Sequence, residues 1–132
     1  MYARFDRLRI AAEHFSQAIS LDSTYAPAYL GLGNLFQRLG STPETRTEYA
    51  KRSLAYYSKT LTLDPNSAEA HNNMGLIYRN LNDLENAVKS YQMAIKLQPN
   101  HGGAYHNLAL AFKELGQFNN AIKNWEKAIS IN

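Results

Sequence analysis

Apolar side chains recur along almost the whole chain at the spacing of one face of an α-helix. Near the amino terminus, Phe5, Leu8, Ala12, Phe15 and Ile19 follow this i, i+3, i+4 rule. The pattern predicts seven helices, at residues 2–21, 26–39, 43–63, 68–81, 84–97, 102–115 and 118–131. No segment alternates as a strand does, so we predict an all-α fold.

The breaks between these helices have turn chemistry. Gly40, Asn82 and Gly116 stand where a helix end needs a left-handed residue. Pro65 and Pro99 follow other helices, and proline cannot extend a helix. We therefore expect short connections and paired helices.

Residues 68–101 and 102–132 are two successive copies of one unit. A third copy, with an insertion, runs from 26 to 65. The copies repeat small residues (Gly33, Gly75 and Ala109) and large ones (Tyr57, Tyr91 and Trp125). A period of 34 predicts a stacked array of helical pairs, an α-solenoid, in which the small residues allow two helices to cross closely.

The repeated unit resembles the tetratricopeptide repeat, whose pattern is W-x2-L-G-x2-Y, then A-x3-F, then P. Residues 68–101 meet it with His71, Met74, Gly75, Tyr78, Ala87, Tyr91 and Pro99. Residues 102–132 meet it with Tyr105, Leu108, Ala109, Phe112, Ala121 and Trp125. The resemblance implies one domain over 1–132. Residues 1–24 would be the second helix of a partial repeat, 25–66 a repeat with an eight-residue insertion, 67–101 a repeat, and 102–132 a repeat without its closing proline and cap.

The insertion is predicted to lengthen the second helix of its repeat by about two turns, rather than to form a loop. Thr42-Pro43-Glu44 has the chemistry of a helix start, and Glu48 and Arg52 form an i, i+4 pair.

The opening helix also begins early. Our hypothesis places Tyr2 and Phe5 beside Arg46 and Tyr49. At the other end we expect no helix to cover Ile122, Trp125 and Ile129, either because the chain is a fragment or because its ends pair with another copy.

The net charge of +3 is spread along the chain: 0 over 1–24, +2 over 25–66, 0 over 67–100 and +1 over 101–132. No face collects a basic stripe, so we expect no nucleic-acid partner. Apolar runs fall short of the roughly 18 residues of a membrane span, and no secretory signal is evident, so we predict no membrane insertion and a cytoplasmic location.

The residues offer no catalytic constellation and no metal or cofactor site. His71 and His106 occupy neighbouring places in adjacent units, but no carboxylate or thiolate completes a ligand set. Gly102-Gly103 lacks the spacing of a phosphate loop. We predict that the chain is not an enzyme.

By resemblance to the family, the outward positions of the first helices line a concave groove that binds an extended peptide. Those positions are Asn34, Gln37, Arg38, Asn72, Asn73, Leu76, Arg79, Asn80, His106, Asn107, Leu110 and Lys113. Asn73 and Asn107 are one period apart and are predicted to stack as a short ladder, whose amides both donate to and accept from a peptide main chain.

The chaperone-binding members of the family grip a carboxylate with lysine and arginine. Here Asn34 and Asn73 match the asparagine places, but Leu30, Gly103 and Asn107 stand at the charged ones. Such a clamp is therefore not expected.

We predict a protein-interaction scaffold that binds an extended, polar or acidic peptide segment. Two alternatives stay open: a self-assembly module that forms homo-oligomers through its ends, and a docking domain of a larger enzyme.

Overall fold

The computed structural model describes residues 2–39 and 42–131, apart from the side chains of Tyr2, Ala3 and Phe5. These residues form seven α-helices and no strand. The helices are α1 (Tyr2–Leu21), α2 (Ala26–Leu39), α3 (Pro43–Leu63), α4 (Ala68–Asn80), α5 (Leu84–Leu97), α6 (Gly102–Glu114) and α7 (Phe118–Ile131). The predicted helices are confirmed. α4 and α6 end one residue earlier than predicted, because Leu81 and Leu115 are the C-cap residues of these helices.

The contacts divide the chain into two compact units, Met1–Pro65 and Asn66–Asn132. In the first unit α2 packs against α1 and α3. In the second, α4 pairs with α5 and α6 pairs with α7, while α6 also packs on α5 and contacts α4. Within this unit the pairs stack, with the two first helices side by side, as expected for an α-solenoid.

In the α2–α3 and α4–α5 pairs, an aromatic ring packs against a glycine where the two helices cross. A Cβ built on Gly33 would lie 2.5 Å from the Cε1 atom of Tyr57, and one on Gly75 would lie 2.5 Å from the Cε1 atom of Tyr91. Both tyrosines are fully buried. The first crossing also holds a polar contact, since the buried Ser53 hydroxyl donates to the Gly33 carbonyl at 2.5 Å. The two glycines therefore leave space for the tyrosine rings, which explains why a small residue stands at these positions.

Two of the three predicted left-handed helix ends are confirmed. Asn82 has φ 62° and Gly116 has φ 79°. The residue after each donates its N–H back to the preceding helix, from Asp83 to Tyr78 O and from Gln117 to Phe112 O, both at 2.8 Å. The prediction for Gly40 lies outside the described residues. The two turns thus share one hydrogen-bonded geometry at equivalent places of successive repeats.

The insertion is helical, as predicted. α3 is one helix of 21 residues, and Glu48 accepts from Arg52 at 3.0 Å. Thr42 stands at the N-cap but its side chain does not cap the helix; the hydroxyl is 2.6 Å from that of Thr45 instead. The hypothesis that pairs Tyr2 and Phe5 with Arg46 and Tyr49 concerns side chains outside the described residues.

Candidate functional site

The predicted groove residues of the second unit lie on α4 and α6, which contact each other. We call this surface the α4–α6 face. It comprises Asn72, Asn73, Leu76, Arg79 and Asn80 of α4 with His106, Asn107, Leu110 and Lys113 of α6. Asn80, His106 and Lys113 are exposed, and the other six residues are half-buried. The face is therefore mixed, with polar amides and cations around two leucines.

Two side-chain contacts join the helices of this face. The Nδ2 atom of Asn107 donates to the Oδ1 atom of Asn72 at 3.1 Å. The Nε atom of Arg79 lies 3.8 Å from the Oε1 atom of Glu114. In both pairs the partners are 35 residues apart, one more than the 34-residue period of the repeat. Equivalent positions are thus offset by one residue where the two helices meet.

One asparagine contact on this face was not predicted from the sequence. Asn107 bonds to Asn72, whereas the sequence paired it with Asn73. Asn73 is also half-buried on α4. The bonded side chains lie on the flanks of α4 and α6 that face each other. These flanks are one residue away from the outermost position of each helix.

Arg79 is less available than an exposed groove cation would be. Its side chain is only 23% exposed, and Glu114 shares the site. Its Nη1 atom is buried with no hydrogen-bond partner among the described residues. Glu114 was missed by sequence reasoning, and the shifted spacing is the signal that could have revealed it. The positive bias of the face is therefore partly compensated within the chain.

The groove residues predicted on α2 belong to the first unit and have a different environment. The Tyr57 hydroxyl lies 2.6 Å from the Oδ1 atom of Asn34 and 2.9 Å from the Oε1 atom of Gln37. A hydroxyl has one proton, so it donates to one amide and can accept an N–H from the other if that amide is turned over. Arg38 is exposed beside them. The sequence identified Tyr57 as a large packing residue but not as the partner of these two amides.

The two histidines named in the sequence have separate roles. His71 is half-buried in α4, and burial lowers the pKa of its imidazole, so the neutral form is favoured. His106 accepts a hydrogen bond at its Nδ1 atom from the indole Nε1 of Trp125, at 3.1 Å. No group of three His, Cys, Asp or Glu residues within 2–39 and 42–131 is arranged to hold a metal ion.

None of the described helices combines the length and the apolar character that crossing a bilayer requires.

Two family models match the second unit. Residues 68–101 match one tetratricopeptide repeat model, and residues 90–123 match another. A comparison with curated proteins finds no match.

Solved structures share the fold. A crystal structure of MamA is 23% identical and has a TM-score of 0.81, over 98% of this chain and 71% of that one. MamA from Desulfovibrio magneticus RS-1, from residue 41 to its end, is 18% identical with a TM-score of 0.79, over 98% and 68%. The second tetratricopeptide domain of Spaghetti (RPAP3), bound to the HSP90 peptide SRMEEVD, is 21% identical with a TM-score of 0.74, over 86% and 98%. Together they establish the all-α solenoid fold.

Proposed function

Because residues 68–123 of this chain belong to the tetratricopeptide repeat family, we propose that the protein is an interaction scaffold that binds an extended peptide segment. The family typically serves as a non-enzymatic interaction module, and we propose no catalytic role. The binding surface proposed for the second unit is the α4–α6 face. The residues on α2 are proposed as a contact surface of the first unit.

The observation that carries this proposal is the hydrogen bond between Asn107 and Asn72. The bond uses one N–H of Asn107 and one lone pair of Asn72. It leaves the Oδ1 atom of Asn107 as an acceptor and the Nδ2 group of Asn72 as a donor. An extended peptide needs one acceptor and one donor for the N–H and C=O of its main chain. The pair supports binding that depends little on the peptide's side chains.

The charges around this pair favour a polar or acidic segment. Lys113 is exposed on the same face, and Arg79 is held near Glu114. A carboxylate of the peptide would compete with Glu114 for Arg79. The peptide SRMEEVD of the RPAP3 structure is expected to bind weakly, because Gly103 and Asn107 stand where a carboxylate clamp needs cations.

The test uses short peptides selected on the wild-type chain from a randomised library. Asn107→Leu removes the bonded pair and should weaken binding about tenfold, which corresponds to about 1.4 kcal/mol. Asn119→Leu makes the same chemical change at an exposed site on α7, outside the face, and should leave the dissociation constant unchanged. Titration calorimetry measures both. Equal affinities for the wild type and Asn107→Leu would exclude this face as the binding surface.

Self-association is a second candidate, favoured by apolar side chains that are exposed on the first helix of the first unit. Ile10 is 48% exposed and Leu21 is 88% exposed on α1. Sedimentation at two concentrations separates the candidates, since a chain that stays monomeric at both would remove this one. The role as a docking domain of a larger enzyme stays a prediction.

A further inference from the structure

The ion pair between Arg79 and Glu114 joins the last turn of α4 to the last residue of α6. The Nε atom of Arg79 is 3.8 Å from the Oε1 atom of Glu114, which is too long for a hydrogen bond. The Arg79 side chain is 23% exposed and that of Glu114 is 45% exposed, so solvent reaches both. The pair therefore lacks the short, hydrogen-bonded contact that a guanidinium makes with a well-placed carboxylate.

Arg79 also lacks a hydrogen bond on its buried side. Its Nη1 atom and the hydroxyl of Tyr91 are both buried without a hydrogen-bond partner in the part of the chain that the structure describes. Burial raises the pKa of Tyr91, and the charges of Arg79 and Glu114 act on it in opposite directions, so the three groups lie close together. No hydrogen bond between them is found among these residues that would fix the guanidinium in its present orientation.

The position of Glu114 is unfavourable for its own helix. The carbonyl groups at the carboxyl-terminal end of a helix carry partial negative charge, which disfavours a carboxylate there and favours a cation. Glu114 is the last residue of α6, whereas Arg79 stands at the favourable end of α4. The stability of α6 therefore does not explain a glutamate at this place, and its contact with Arg79 becomes the feature to explain.

We propose that Glu114 occupies the place of a ligand carboxylate in the free chain, and that an aspartate or glutamate side chain of the bound peptide displaces it and pairs with Arg79. This inference rests on the function proposed for the α4–α6 face, and it names the residues that select the peptide. Arg79 is the cation that binds the acidic side chain, and Glu114 is its internal competitor.

The exchange favours an acidic peptide for a geometric reason. A carboxylate on a peptide is not attached to the end of α6, so it can turn both oxygens towards the guanidinium and form two N–H···O bonds. These bonds would replace a single contact of 3.8 Å. A neutral side chain offers no charge in exchange for that of Glu114, so the internal pair stays closed against it. Glu114 thereby raises the selectivity of the face and lowers its affinity.

The first experiment uses short synthetic peptides with amidated carboxyl termini, selected on the wild-type chain from a randomised library. Amidation removes the terminal carboxylate, so an acidic group can come only from a side chain. We expect an aspartate or glutamate at one fixed position of the selected peptides. Its replacement by asparagine or glutamine should weaken binding about tenfold in titration calorimetry.

Two negative outcomes of the selection have different meanings. Selected peptides without a shared acidic position would overturn this inference and leave the proposed peptide binding intact. Failure to select any peptide would overturn both. Peptides that bind only with a free terminal carboxylate would assign Arg79 to the end of a ligand chain, against the side-chain carboxylate proposed here.

The second experiment removes the internal competitor. Glu114→Gln should strengthen binding of the selected acidic peptide about two- to fivefold, the range expected for a partly exposed ion pair. Glu126→Gln makes the same change of net charge at an exposed position on α7, outside the face, and should leave the affinity unchanged. No gain in Glu114→Gln, or an equal gain in Glu126→Gln, would contradict the proposal.

A double-mutant cycle assigns the gain to Arg79. In a chain that already carries Arg79→Gln, the further change Glu114→Gln should lose most of its effect, because the competitor no longer has a cation to occupy. A general effect of charge on an acidic peptide would persist in this background, and that result would overturn the assignment. Circular dichroism of each variant checks that the helices are retained.

Discussion

The α2–α3 and α4–α5 pairs each pack around a tyrosine ring, but the hydroxyl of that tyrosine has different neighbours in the two pairs. Tyr57 and Tyr91 are both fully buried, and each lies against a glycine of the first helix. The Tyr57 hydroxyl has two amide neighbours, Asn34 and Gln37. The Tyr91 hydroxyl is buried with no hydrogen-bond partner among the described residues.

The cause lies at two positions of the first helix. Counted from the glycine of each pair, Leu76 stands where Asn34 stands and Arg79 where Gln37 stands. Neither leucine nor arginine can accept the proton of the Tyr91 hydroxyl, as the amide oxygen of Asn34 or Gln37 does for Tyr57. The ring and the glycine therefore maintain the crossing, while the partner of the hydroxyl varies from one repeat to the next.

The largest effect is expected from removing the space that both pairs share. A Cβ on Gly33 or Gly75 would overlap a fully buried tyrosine ring, so the ring or a helix must shift. Overpacking costs roughly 1–3 kcal/mol, and alanine recovers about 1 kcal/mol of helix propensity. We expect Gly33→Ala and Gly75→Ala each to lower the free energy of unfolding by up to about 2 kcal/mol in urea titrations.

The outcome for Gly75 has a useful comparison in the α6–α7 pair, where the equivalent residue is the buried Ala109 and the equivalent ring is Trp125. The α6–α7 pair accommodates the Cβ of Ala109. Whether glycine is needed at this position therefore depends on where the neighbouring ring lies. A Gly75→Ala variant as stable as the wild type would show that Tyr91 can shift, contrary to the packing described above.

An effect of similar size is expected at alkaline pH. Burial raises the pKa of Tyr91 to about 12, while nearby Arg79 lowers it and Glu114 raises it. The unfolded chain loses this proton near pH 10, but the folded chain retains it until about pH 12. Stability is therefore unaffected below pH 10 and falls between 10 and 12, by up to about 1.4 kcal/mol per pH unit.

The variant Tyr91→Phe should lack this part of the alkaline loss, measured as the urea midpoint against pH. Tyr25→Phe, at an exposed residue, serves as the matched control. If both variants lost stability in parallel with the wild type between pH 10 and 12, Tyr91 would not be the group responsible.

The smallest effect is expected from removing the two hydroxyls at neutral pH. Tyr57→Phe leaves Asn34 and Gln37 without this contact and should cost about 1 kcal/mol. Tyr91→Phe removes a hydroxyl that has no partner among the described residues, so it should be neutral or slightly stabilising. Thermal unfolding of the two variants measures the difference directly, and equal losses would contradict the contrast between the pairs.

The helices and their turns could be predicted because local rules decide them. The apolar spacing set the seven helices to within one residue, and the left-handed ends at Asn82 and Gly116 follow from residue type alone. The helical structure of the insertion could be predicted for the same reason, because proline and an i, i+4 ion pair act within one helix.

The partners of the site residues could not be predicted, because they depend on how neighbouring helices face each other. A repeat of 34 suggested Asn73 opposite Asn107, and the bond from Asn107 to Asn72 was not foreseen. Glu114 beside Arg79 follows the same shifted spacing. The Tyr57 contacts with α2 were equally invisible, since the sequence identifies a buried ring but not the direction of its hydroxyl.

The length of α3 gives the first unit a stiff projection. α3 has 21 residues and its partner α2 has 14, so α3 is longer by about 10 Å at 1.5 Å per residue. Its first residues, from Pro43 to Glu44 and from Arg46 to Glu48, are exposed. A spectroscopic label or a tether attached there would sit on a helix rather than on a loop, so distances measured from it would carry little linker motion.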